Sequence, residues 1–146
     1  MTPTITLSFA AAAALINIWL AARVSLVRVK RERVMGDGGD PVLLARMRAH
    51  ANFVEYTPFA LILSGLIEWT TGPSTWLWAA VAVFLVARLS HAFGMDRPAP
   101  NPFRMVGILT TLVVLLGLAA WAATLAWQSA HGIGTGPILE AVPLRS

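Results

Sequence analysis

The chain has 146 residues, of which 57% are hydrophobic and only 12% charged, and it contains no cysteine. Soluble domains average about 25% charged residues, so this composition, with its long apolar stretches, reads as one compact integral membrane domain. The missing cysteines exclude disulfides, thiolate metal sites and a cysteine nucleophile; the net charge of +4 sits beside hydrophobic spans, which fits membrane orientation rather than nucleic acid.

The first apolar segment is expected over about residues 5–27, long enough to cross a hydrocarbon core of about 30 Å. It passes through Phe9, five alanines from Ala10 to Ala14, Leu15, Ile16, Ile18, Trp19 and Leu20. The competing reading, a signal peptide, lacks the basic residues that should precede its apolar run. Asn17 is expected to pack between helices. The span ends in Arg28-Val29-Lys30-Arg31-Glu32-Arg33, followed by a glycine-rich loop. Asp40-Pro41 then reads as an N-cap with proline at the first helical position.

The second segment is expected over about residues 41–70, longer than the bilayer core is thick, so its first turns stand at the headgroups. Pro58 should kink it or be absorbed by local rearrangement. After the uncharged turn Thr71-Gly72-Pro73-Ser74, the third segment runs over about residues 75–93, with Gly94 as a C-cap signal. A proline-stiffened loop, Met95 to Asn101, leads to Asn101-Pro102, a second cap-then-proline start. The fourth segment covers about residues 102–128 and is almost wholly apolar after Arg104. The remaining stretch, 131–146, reads as a glycine- and proline-containing tail.

Basic residues set the expected orientation. Arg28, Lys30, Arg31, Arg33, Arg46 and Arg48 flank the first loop, and Arg88, Arg97 and Arg104 flank the third, whereas the opposite side has Arg145 in the tail. The positive-inside rule places both basic loops in the cytoplasm and both termini outside. Trp69, Trp76, Trp78 and Trp127 then fall at the outer boundary, as an aromatic belt requires.

The chemically informative stretch opens the second segment. Arg48, Asn52, Glu55, Phe59 and Ile62 follow 4-3-4-3 spacing and share one helical face. A charge facing lipid at mid-bilayer costs about 2.5–3.5 kcal/mol on insertion scales, so that face must meet protein, water or a ligand. A polar ligand site is one reading; an Arg48–Glu55 ion pair with Asn52 bonded to a neighbouring helix is the other. Arg28, Arg88, His91 and Arg104 are expected at the same depth, forming a guanidinium ring suited to carboxylates or a thiolate. Phosphate headgroups are the competing partners of those arginines. His91 reads either as a general base or as a hydrogen-bonded structural group. His50, His91 and His131 lack metal-ligand spacing, and Gly132-Ile133-Gly134-Thr135-Gly136 lacks the lysine of a phosphate loop.

Arg48-Ala49-His50-Ala51-Asn52-Phe53-Val54-Glu55-Tyr56-Thr57-Pro58-Phe59 resembles the second-helix signature of the membrane-associated proteins in eicosanoid and glutathione metabolism, the MAPEG family. Arg88-Leu89-Ser90-His91-Ala92-Phe93-Gly94-Met95 is similar to the third-helix end of its bacterial members. The resemblance implies an all-α, four-helix transmembrane bundle assembled as a homotrimer, with glutathione as co-substrate in cytoplasm-facing sites between subunits of an inner-membrane protein. On that basis Arg48 and Arg28 would pair with the carboxylates of glutathione, and Glu55 with its ammonium group. Asn52 and Tyr56 would bond its peptide backbone, Arg88 and His91 would complete the site, and Arg104 would be catalytic by stabilising the thiolate. No metal is called for.

The implied function is that of a glutathione transferase, with peroxidase activity on lipid hydroperoxides, acting on a hydrophobic small molecule or lipid that arrives from the membrane. The alternatives are a non-catalytic lipid- or glutathione-binding scaffold and a small four-helix transporter, the latter disfavoured because the first segment carries no acid. Eicosanoid-synthesising members place tyrosines where this chain has His91 and Met95, which points away from leukotriene synthesis. Its single tyrosine is Tyr56.

Overall fold

The computed structural model describes residues 2–133, which form four α-helices: α1 (Thr4–Lys30), α2 (Pro41–Thr71), α3 (Thr75–Met95) and α4 (Pro102–Ala130). Each extends slightly past its expected end. The expected tail lies, from residue 134 onward, outside the described residues. The helices run up and down, with α2 and α3 central: α1 packs on α2 and α3, and α4 packs on α3 and α2. By length and composition α1, α3 and α4 can each cross a membrane. The charged residues of α2 keep it out of that set, but α2 lies antiparallel along α1 at both ends and in the middle, so it traverses the same depth. The protein is therefore an integral, multi-pass membrane protein.

The helix starts follow from the local sequence. Asp40 accepts hydrogen bonds from the backbone N–H of Val42 and Leu43 ahead of Pro41, and Asn101 does the same for Phe103 and Arg104 ahead of Pro102. Ser74 caps α3 through Leu77 N–H. Proline at the first position needs no donor there. Helix α2 runs unbroken through Pro58.

α1 lacks a cap of its own: Pro3 makes no side-chain cap bond, and the first turn has no acid. The deficit is met from α2. The buried Glu68 carboxylate accepts from Ile5 N–H at 2.8 Å, Thr6 N–H at 2.8 Å and the Thr6 hydroxyl at 2.6 Å. A carboxylate on the exposed donors of a helix N-terminus satisfies them and opposes the positive end of the helix dipole.

Packing within the bundle cannot rely on expelling water, because lipid is as apolar as leucine; close van der Waals contact replaces it. Phe9 of α1 meets Phe84 of α3 edge-on, ring centroids 5.6 Å apart. The tightest seam is α3 against α4, and glycine makes it. A Cβ on Gly107 would lie 2.6 Å from His91 N and 2.8 Å from Ala87 O, and one on Gly94 would strike the Arg104 backbone. Gly94, expected to stop α3, instead sits inside it, and the helix ends at Met95 with Asp96 as C-cap. That glycine serves close approach rather than termination.

Replacing Glu68 with Gln should lower thermal stability in detergent by about 2–3 kcal/mol, the scale of charge-assisted hydrogen bonds lost at a buried cap. Gly107→Ala should cost about 1–3 kcal/mol by overpacking the α3–α4 seam against backbone that cannot yield, read in the same thermal melt.

Candidate functional site

Helix α2 carries two polar faces. Residues Arg48, Asn52 and Glu55 lie on one side, and Arg46, His50 and Thr57 lie nearly opposite, as the 100°-per-residue turn of a helix requires. The first face points out of the chain. Arg48 and Glu55 are exposed, as are Phe59 and Ile62 further along the same face. No ion pair joins Arg48 to Glu55 or to any other described residue. The alternative reading of this face as an internal salt bridge is thus not realised within one chain. Asn52 donates its side-chain N–H to the Arg48 carbonyl at 3.0 Å, which fixes the amide one turn above Arg48.

Beside this face, α3 contributes two buried polar side chains. Arg88 is 1% exposed, with its guanidinium 5.6 Å from the Tyr56 ring, and its Nε and Nη1 atoms have no hydrogen-bond partner. His91, one turn on, donates from Nδ1 to the Arg104 carbonyl at 3.3 Å, leaving its buried Nε2 without a partner. Buried, unsatisfied polar atoms are rare and costly, because each has lost water without replacement. Ser90 ties the same seam by donating to Phe103 O at 3.1 Å. The Arg104 side chain is exposed, while its backbone is held by Asn101, His91 and the gap at Gly94.

Of the groups expected to form one guanidinium ring, Arg88 packs on Tyr56 and Arg104 joins His91 through its backbone. Tyr56, against which Arg88 packs, lies about 12 Å along α2 from Arg48 at helical rise. Arg28 turns elsewhere: its guanidinium donates to Val34 O at 3.1 Å and lies 3.5 Å from Met47 Sδ, pinning the loop after α1. The structure brings together Tyr56 with Arg88, His91 with Arg104, and Arg48 with Asn52 and Glu55 on one face. It does not bring Arg28 into that group.

The inner polar face was only partly legible. Asn17 does pack between helices, its Oδ1 2.9 Å from His50 Nε2. What sequence reasoning missed is a junction of three helices at the basic end. Asp96, at the end of α3, is ion-paired with Arg23 of α1 and lies 3.9 Å from Arg46 Nε of α2. Arg46 also donates to the Arg23 carbonyl at 3.1 Å, and Arg23 stacks on Trp19 at 4.7 Å. The available signal was Arg23 itself, a charge within an apolar span, which demands a partner. Among the described residues no three His, Asp or Glu side chains gather as a metal site.

An up-and-down bundle of membrane-spanning helices, with a charged face on the second helix opening sideways beside a buried arginine and histidine of the third, defines a small polytopic membrane protein with a lateral polar site. The sequence profile of the MAPEG family matches residues 6–124, and the chain belongs to that family. It is similar to the inner membrane protein YecN of Escherichia coli K12, 33% identical over 87 residues, and equally to YecN of Escherichia coli O6:H1. Those matches cover 59% of this chain and 66% of the relative, so the chain spans just under two thirds of the length of the relatives it matches.

Replacing Arg88 with Met removes a buried guanidinium whose Nε and Nη1 have no partner among the described residues. In the absence of ligand the variant should melt no lower than the wild type, and up to about 1–4 kcal/mol more stably, as for other buried ions exchanged for apolar residues. A large destabilisation would mean that a partner outside the chain already pairs with Arg88.

Proposed function

We propose that this protein is an inner-membrane glutathione transferase, with peroxidase activity on lipid hydroperoxides, working as a homotrimer with its sites facing the cytoplasm. The observation that carries the reading is the open face of α2, where Arg48 and Glu55 are both exposed and have no ion-pair partner among the described residues, in a helix that crosses the membrane. A cation and an anion presented about two turns apart match a zwitterionic ligand such as glutathione, which carries two carboxylates and an ammonium group. A face left open sideways is also what an assembly closes by placing a second subunit against it. Glutathione use by the family supports the ligand, and similarity to an inner membrane protein supports the location.

In this reading Arg48 pairs with a carboxylate, Glu55 with the ammonium group, and Asn52 and Tyr56 bond the peptide. Arg88 and His91 offer their unpartnered nitrogens to the rest of the ligand. Arg104 lies near the thiol, where a guanidinium lowers the thiol pKa and raises the fraction of thiolate at neutral pH. The thiolate then attacks an apolar electrophile, forming a carbon–sulfur bond as the leaving group departs with its electron pair. The groove between α1 and α2, about 260 Å³ and lined by Ala10, Ala13, Phe53 and Leu61 among others, supports entry of an apolar molecule from the lipid side.

Glutathione titrated into the purified protein at neutral pH should give a stoichiometric ultraviolet thiolate absorbance. Arg104→Ala should abolish that signal, retain binding by calorimetry, and lower kcat/KM by about 10²-fold, as for other donors that stabilise developing charge. Binding without thiolate would favour a non-catalytic scaffold. No binding at all would overturn the glutathione assignment.

A further inference from the structure

Arg104 owes its place to α3. Its N–H is capped by Asn101, its carbonyl accepts from His91, and Gly94 lets its backbone sit against α3. Nothing in those three contacts relates Arg104 to the glutathione face on α2. Helix α4 also packs directly on α2, and Asp96 adds a polar tie from the end of α3 to both α1 and α2. The carboxylate at the end of α3 bonds Arg23 of α1 and faces Arg46 of α2, and Arg46 lies two residues before Arg48 on the same helix. Arg46 is itself tied to the Arg23 carbonyl, so the three groups form a closed junction rather than a chain of single contacts.

We infer that Asp96 is a positioning residue that sets Arg104 relative to the ligand-binding face of α2, by bolting the α3–α4 corner onto α1 and α2. The inference rests on the proposed glutathione function for its catalytic consequence, but its structural claim stands independently. The electrostatics favour this role over a surface salt bridge. One carboxylate faces two guanidinium groups, and the Arg23 side chain that it pairs with through Nη2 is only 12% exposed. Removing the carboxylate leaves two like charges, half-buried and close together, with no counter-charge, so the corner should move rather than relax in place. The loop that follows is stiffened by Pro98, Pro100 and Pro102 and braced by Arg97 stacked on Phe103 at 4.5 Å. A displacement at Asp96 is therefore transmitted to the first turn of α4 instead of being absorbed.

The test uses Asp96→Asn, Asp96→Glu and the wild type, all as full-length protein in detergent or nanodiscs. In Asp96→Asn, glutathione should bind within about threefold of wild type, while the midpoint of thiolate formation should rise by about one pH unit, a tenfold loss of thiolate at fixed pH. Asp96→Glu should restore most of the thiolate signal, since its carboxylate can reach the same guanidinium groups. A role in stability alone would lower the melting temperature of Asp96→Asn but leave the thiolate per bound glutathione unchanged, and that result overturns the inference. Amide hydrogen exchange over residues 102–107 tests the structural claim without glutathione. Faster exchange there in Asp96→Asn supports the bolt, and unchanged exchange overturns it. If the wild type forms no thiolate, the proposed function fails, while the exchange measurement still decides whether Asp96 holds the start of α4.

Discussion

The structure is governed by the cost of leaving a polar group unpaired where water is absent. Within a bilayer each charge must find a partner in the protein, reach the headgroups, or face a cavity or ligand. Helix α2 meets that demand in two directions. On its inner side the chain itself supplies partners: Arg46 has Asp96 and the Arg23 carbonyl, His50 has Asn17, and Glu68 has the start of α1, although Thr57 Oγ1 and Arg46 Nε lack a hydrogen-bond partner among the described residues. Its outer side, Arg48 and Glu55, is left open. The inner face of α2 thus holds the helices together, while the outer face stays exposed.

The inner pairings also explain how a bundle without a hydrophobic driving force keeps its register. Glu68 at one end of the α1–α2 seam, Asn17 and His50 in the middle, and Arg23 with Arg46 at the other end fix α1 along the whole of α2. Sliding either helix by one turn would unpair all three at once. The α3–α4 seam uses a different device, in which Gly94 and Gly107 let backbones meet and so maximise dispersion contact. The first seam is specified by polar bonds and the second by shape.

The two buried groups of α3 belong to neither device. Arg88 and His91 are enclosed, yet Arg88 Nε and Nη1 and His91 Nε2 have no partner. Groups of this kind persist when something other than folding stability retains them. They lie between Tyr56 of α2 and the start of α4.

The sequence by itself determined the four spans, the caps at Asp40 and Asn101, the shared face of Arg48, Asn52 and Glu55, and the family. These depend on hydrophobic length, helical period and local capping, all of which act over a few neighbouring residues. Tertiary structure decided the rest, because those choices depend on groups far apart in the chain. It made Gly94 a contact point rather than a stop, turned Arg28 toward Val34, and set Arg88 against Tyr56. It also joined Arg23 and Arg46 to Asp96, fifty or more residues downstream of each. A charge buried in an apolar span announces that it needs a partner; which residue supplies one is fixed only when the helices pack.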